Sequence, residues 1–268
     1  MNKICVVTFV YPGLTNKFKK FLQSLNQQTN QNFDLIIFSN NLKNLTLPNN
    51  DFKIRLIKLN SGIIKSRFEM IKYLKKIDYQ YIVFQDADDT MSPNRIELVC
   101  KKLKKNHIVV NDLDIIFNKK IIKNYFSKRI INNAILNAKD IINFNFMGMS
   151  NTAIRKKCLN EISFPRRLNI EIFDWYFWTI ILSKYKARFI NSTSTQYYVR
   201  SNSTTCLPTN SNPGFLKKIS LIIKIHKKTI DTLIKNKIIK DIKHFNKSKK
   251  INNNKKNNFW WELNVEKN

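Results

Sequence analysis

The stretch Tyr81-Ile82-Val83-Phe84-Gln85-Asp86-Ala87-Asp88-Asp89 decides how this chain folds: an apolar run ends abruptly in three carboxylates within four residues. A run of that length and composition reads as a buried strand, and the acids then lie where the strand leaves its sheet. Like charges so close raise one another's pKa unless a cation or strong donors neutralise them. Oxygen-only ligands suit Mg²⁺ or Mn²⁺, which join a few carboxylates to substrate phosphates. Two readings stand on local chemistry: a site for a divalent cation and a diphosphate, or an Asp-rich turn leading into a helix. For the second, Ser92-Pro93 has the form of a helix start, with Ser92 as N-cap and proline in the first turn.

Upstream, Ile4 to Val10 is a continuous apolar, β-branched run followed by the turn signal Pro12-Gly13. Phe18, Phe21, Leu22 and Leu25 fall at helical spacing and predict an amphipathic helix over 16–28. A second strand is predicted over 33–39 and a third over 54–59, after which Ile64, Phe68, Ile71 and Leu74 mark a second helix. The run 81–85 is then the fourth strand. Strands separated by helices imply an α/β fold with a mostly parallel sheet, in which ligands bind beyond the carboxyl ends of the strands. The acidic cluster sits where that rule places a ligand.

The second half is less regular. The Asn-rich segment 111–146 yields no firm pattern, whereas 174–185 predicts a helix with an aromatic face of Trp175, Tyr176, Phe177 and Trp178, and 188–199 a closing strand or hairpin. Composition changes between Leu207-Pro208 and Pro213-Gly214. Beyond that boundary, Ile219, Ile222, Ile223, Ile230, Leu233 and Ile234 approximate a helical stripe in a lysine-rich segment ending in Phe259-Trp260-Trp261. The expected organisation is a first half over 1–110, a second half of the same domain over 111–206, and a basic helical tail over 207–268.

A chain of 268 residues with 43% hydrophobic content can bury a sizeable core. Its formal charge of +30 attracts nucleic acid, anionic membrane or phosphorylated substrates without choosing among them. The excess of Lys, Asn and Ile over the four Gly is the mark of AT-rich coding, so part of that charge belongs to composition. Cys5, Cys100, Cys158 and Cys206 form neither a CxxC pair nor a zinc spacing and read as reduced thiols, Cys5 and Cys100 in the core. Ile4 to Val10 is too short for a secretory signal and lacks a cleavage site, and no window reaches the roughly 18 consecutive apolar residues of a membrane span. The expectation is a cytoplasmic protein, free or peripheral on the inner membrane face.

Taken with the order of elements, Ser24-Leu25-Asn26-Gln27-Gln28-Thr29, Asn60-Ser61-Gly62 leading to Arg67, and Asp86-Ala87-Asp88-Asp89 with Pro93 and Arg95 behind it make the chain resemble the family 2 glycosyltransferases over about residues 1–205. The resemblance implies a GT-A, Rossmann-like sheet flanked by helices, with 1–110 as its nucleotide-sugar-binding half and 111–206 as its acceptor-binding half. It also implies an inverting, Mn²⁺- or Mg²⁺-dependent transfer of sugar from a nucleotide donor to a glycan or glycolipid hydroxyl, and the AT-rich composition with a membrane-apposed cytoplasmic location fits bacterial surface polysaccharide or lipopolysaccharide synthesis. Carried over by position, Asp88 coordinates the metal, Asp86 faces the ribose or base side and shares the metal, Asp89 supports metal or donor sugar, and Arg67 faces the nucleotide or its diphosphate. This agrees with the chemistry of a departing diphosphate, whose charge a cation and a guanidinium can stabilise.

The chain departs from that family in two places. Where an acidic pair commonly follows the second strand to contact the base, this chain has Ser39, Asn40 and Asn41, whose amides and hydroxyl can still bond a base edge. The acidic pair near the acceptor becomes Phe173-Asp174, retaining only the second acid. Asp174 is the candidate general base, Glu171 the fallback three residues earlier, and Asp174 can also serve as N-cap of the aromatic helix. Trp175 and Trp178 are either a platform for an acceptor sugar or core, and core is the commoner fate. Tyr198 and Arg200 resemble a segment with a phosphate or metal contact, but its usual histidine is absent, which leaves the third metal ligand unassigned. His107, His226 and His244 have no partner at metal-ligand spacing.

The tail carries two readings, a lysine-rich amphipathic helix lying in an anionic membrane interface or a solvated helix with a polar tail. A specific nucleic-acid reader is not expected, because no reader motif is present and the carboxylates would repel phosphates unless metal were bound. The remaining alternatives are a catalytically inactive scaffold of the same fold and a charge-driven binder.

Overall fold

A computed structural model describes residues 3–40, 47, 52–117, 120–142, 144–164, 170, 172–199 and 213–237. The first half alternates β1 (Ile4–Val10), α1 (Thr15–Asn26), β2 (Asp34–Asn40), β3 (Ile54–Leu59), α2 (Ile63–Leu74), β4 (Tyr81–Phe84), the two-residue β5 (Thr90–Met91) and α3 (Arg95–Leu103). The second half adds β6 (Ile108–Phe117), β7 (Lys120–Ile122), β8 (Ile135–Leu136), α4 (Ala138–Ile141), β9 (Thr152–Arg155), α5 (Lys157–Asn160), α6 (Phe173–Lys184), β10 (Ala187–Tyr198) and α7 (Pro213–Lys235).

These strands form one ten-stranded sheet of order β3-β2-β1-β4-β9-β6-β10-β5, with β7 on β6 and β8 on β10. β3, β2, β1 and β4 run parallel, and β9 enters antiparallel between β4 and β6. Residues of β1, β2 and β4 are buried on both faces, which is why they read as unbroken apolar runs rather than alternating ones. Val6, Leu35 and Val83 face α1 and α3, whereas Val7, Ile36 and Phe84 face α2 and α6.

The helix predicted from Ser92-Pro93 begins later. Asn94 is the N-cap of α3 without a side-chain capping bond, Ser92 pairs hydroxyls with Ser194 at 3.0 Å, and the Pro93 carbonyl accepts the Thr29 N–H at 2.8 Å. Ser92-Pro93 thus staples the β5 turn to β10 and α1. α6 is apolar on nearly all sides and accordingly buried at Phe173 and from Trp175 to Leu182, with Asp174 half-buried. Trp175 and Trp178 are both core. The Trp175 indole donates to the Ile141 carbonyl at 2.7 Å, and Trp178 packs edge-on against Phe84, so neither offers a platform to a ligand.

α7 also seats on this core. Ile230 and Leu233 are fully buried, and the His226 ring stacks on Trp175 with centroids 3.5 Å apart. Its Nε2 lies 3.3 Å from the Ile142 carbonyl, and burial drives its pKa down to about 3. Cys5, Cys100 and Cys158 are buried. Asn41, Glu171, Arg200, Cys206, His244 and the Phe259-Trp260-Trp261 end lie outside the described residues. Among the described residues no helix is long and apolar enough to cross a membrane.

Candidate active site

Parallel pairing brings the carboxyl ends of β1, β2 and β4 to one edge, and three side chains from separate elements meet beyond it. Arg67, one turn into α2, reaches Asp86 at the end of β4, with Nη2 3.1 Å from Oδ1. Its guanidinium lies over the Phe9 ring of β1, 4.7 Å from the centroid. Burial pulls the Arg67 pKa down, but the neighbouring Asp86 and Asp174 carboxylates outweigh it and hold the group above its ordinary value.

Asp174 stands in the first turn of α6, where the helix dipole favours a carboxylate. The N-cap of α6 is Ile172, without a side-chain cap bond, so Asp174 does not cap its own helix. Its Oδ2 accepts the Met149 N–H at 3.2 Å from the loop before β9. Burial, with repulsion from Asp86, pushes its pKa up to about 6 against the pull of Arg67 and that N–H.

Arg67, Asp86 and Asp174 line one cavity of about 270 Å³, together with Ser150 and the apolar Ile64, Phe126, Phe146 and Ile172. Asn151 shapes its rim, accepting the Gly148 N–H at 2.8 Å and donating to the Phe146 and Asn111 carbonyls.

The other sequence-nominated residues take different places. Asp88 is half-buried in the turn after β4 and is not among the cavity-lining residues. Asp89 points inward, its carboxylate accepting the Tyr198 N–H at 2.9 Å and the Ser150 hydroxyl. Burial, with repulsion from Asp86, pushes its pKa up to about 8. Ser39 and Asn40 are buried. The Asn40 amide donates to the Ser61 carbonyl at 2.9 Å and accepts the Ser61 N–H at 3.3 Å, fastening the loop that leads into the Arg67 helix.

Ser150 and the Met149 N–H were not legible in the sequence. Gly148-Met149-Ser150-Asn151 carries only a loop signal, and its proximity to Asp86 depends on β9 pairing antiparallel with β4. Among the described residues, no group of three or more His, Cys, Asp or Glu side chains is arranged to hold a metal ion. The Asp86 and Asp88 carboxylates fit the partial shell of a hard cation completed by diphosphate and water, not a closed protein cage.

The mostly parallel sheet flanked by helices, with acids at the end of its fourth strand, is an α/β fold of GT-A type. The sequence profile described as Glycosyl transferase family 2 matches residues 4–163, and the chain belongs to that family. Asp174 lies beyond the matched range.

Solved structures of S. aureus TarS residues 1–349 share the fold. The complex with UDP-GlcNAc is 15% identical with a TM-score of 0.59, covering 87% of this chain and 71% of that one. The structure described simply as TarS 1–349 gives 15%, 0.57, 90% and 75%, and the UDP complex 14%, 0.57, 87% and 70%. A comparison with curated proteins gave no match.

Proposed function

We propose that this family 2 glycosyltransferase moves a sugar from a nucleoside diphosphate donor to a hydroxyl of a glycan or glycolipid, with inversion at the anomeric carbon. The observation that carries this reading is the single cavity joining Arg67, Asp86 and Asp174. At about 270 Å³ it is at or below the small end of ligand cavities, which suits the reacting sugar better than a whole nucleotide sugar.

Arg67 faces the diphosphate and stabilises the negative charge that gathers on it as the glycosidic bond breaks. Asp174, with a pKa near working pH, takes the proton from the acceptor hydroxyl while its oxygen bonds to the anomeric carbon opposite the departing diphosphate. The apolar walls exclude water that would otherwise compete as acceptor. A divalent cation held by Asp86 and Asp88 would supply further neutralisation of the diphosphate. TarS was captured with UDP-GlcNAc and with UDP, which makes UDP-sugars the first donors to try.

The exposed Lys224, Lys228 and Lys235 of α7 suit an anionic membrane carrying a lipid-linked acceptor of surface-polysaccharide synthesis. Vesicles containing phosphatidylglycerol should then sediment the protein, and charge reversal at the three lysines should abolish this.

The decisive assay incubates the protein and Asp174→Asn with a panel of nucleotide sugars and Mn²⁺ and measures released nucleoside diphosphate. Release from one donor, lost in the variant, supports the reading. Donor binding without release points to an inactive scaffold, and no binding of any donor overturns the proposal.

A further inference from the structure

We propose that Ser150 is a positioning residue that fixes Asp86 for the diphosphate donor, and that Thr195 holds Ser150 from behind. This rests on the proposed function and adds to it residues that the sequence does not single out. Ser150 is 2% exposed. Its hydroxyl lies 3.2 Å from Asp86 Oδ2 and accepts the Asp86 N–H at 3.3 Å, and it also contacts Asp89 Oδ2. Arg67 holds Oδ1, while the Ser150 oxygen takes the Asp86 N–H and its one proton is shared between Asp86 Oδ2 and Asp89 Oδ2, so Asp86 is set on one side by a charged partner and on the other by a hydroxyl brought from the loop before β9.

That hydroxyl is itself anchored. The Ser150 carbonyl accepts from Thr195 Oγ1 at 2.8 Å, and Thr195 Oγ1 accepts from Asn111 Nδ2 at 3.1 Å. Asn111 Oδ1 accepts from Arg95 Nε at 2.6 Å. Arg95 returns to β4, donating to Gln85 Oε1 at 2.8 Å and to the Phe84 carbonyl at 3.1 Å. Arg95, Asn111 and Thr195 are fully buried.

The chain of bonds thus starts at Asp86 just beyond β4, crosses β10 and β6, and closes one and two residues earlier, on Gln85 and on Phe84 of β4. A buried polar network of this kind rigidifies what it holds, and a displacement of about 1 Å at a reacting site can cost about 100-fold in rate. The irregular register of β10 on β6, which jumps between Ile190 and Ser194, delivers Thr195 to this position.

The test titrates UDP, GDP, CDP, ADP and dTDP, each with Mn²⁺, by calorimetry into the wild type, Ser150→Ala, Thr195→Val and Thr195→Ser, and records the melting temperature of each ligand-free protein. The tightest diphosphate is expected to bind Ser150→Ala about tenfold more weakly, as loss of a hydrogen bond to a charged group predicts, Thr195→Val about fivefold more weakly, as loss of a neutral one predicts, and Thr195→Ser within about twofold of wild type. A merely structural role would lower melting temperatures and leave these affinities alone, and that result overturns the inference. Should Ser150→Ala fail to fold, the Val and Ser variants at 195 decide it. Wild-type binding with unchanged variants removes only this inference; no diphosphate binding to the wild type removes the proposed function with it.

Discussion

Replacing Asp174 with asparagine should make the enzyme slower and the protein more stable at the same pH. Loss of a general base costs about 10²- to 10⁴-fold in rate, so kcat/KM should fall by that factor. In the wild type kcat/KM should climb through a midpoint near pH 6, where the carboxylate deprotonates, and the variant should lack that limb. The stability effect follows from the same shift, from 3.8 to about 6.

The folded protein binds this proton more tightly than the unfolded chain. The group's stabilising contribution is therefore complete below about pH 3.8 and is lost as pH rises through 6. At neutral pH the upper limit of that loss is about 3 kcal/mol, and partial contact with the cavity reduces it. Arg67 keeps Asp86 as partner, so removing the second acid does not orphan the cation. The assay pairs a donor-turnover pH profile with thermal melts at pH 4 and 7.5. Turnover within about tenfold of wild type, a retained acid limb, or a variant less stable at pH 7.5 would each refute the base assignment.

Arg67→Lys should weaken nucleoside diphosphate binding by about tenfold or more, because an ammonium cannot make the bidentate contact of a guanidinium; calorimetry reads it. Arg67→Ala should move the acid limb of the pH profile above 6, since Arg67 is the charge that opposes burial at Asp174. Deleting the chain from residue 213 should lower the melting temperature sharply, as the buried Ile230 and Leu233 each stabilise by about 1.5–3 kcal/mol; an unchanged melt would show that α7 contributes nothing to the core. His226, held near pKa 3 from 6.5, contributes stability that is present above pH 6.5 and lost as pH falls toward 3, about 2 kcal/mol by pH 5. His226→Gln should flatten that acid dependence in melts followed by Trp fluorescence.

The parallel half of the fold was legible because its signals are local. β1 and β3 match the apolar runs that predict them, and the acids follow β4 directly. Ser92-Pro93 misled because a cap and a turn share residue types, and only the partners Ser194 and Thr29 distinguish them. β10 was legible as the strand predicted over 188–199, but its place in the sheet, like β6 and β9 altogether, was obscure because these pairings are long-range, with an antiparallel insertion and a register jump that no local pattern encodes. In the site, Arg67, Asp86 and Asp174 were legible through family resemblance. Ser150 lies 64 residues from Asp86 in sequence and could be found only through the sheet. His226 was discounted on metal-ligand spacing, and its actual role, stacking on Trp175, leaves no trace at that spacing.

We propose that Asp86 and Asp88 would hold a divalent cation against the diphosphate of a sugar donor. The most direct test is the thermal shift of the wild type, Asp86→Ala and Asp88→Ala with nucleotide sugars, in Mn²⁺, in Mg²⁺ and in chelator, since a ligand that binds the folded state raises its melting temperature. The account predicts a rise with sugars of one nucleotide that needs the metal and disappears in both variants. A rise that persists in chelator and in both variants, or none with any donor, would contradict it.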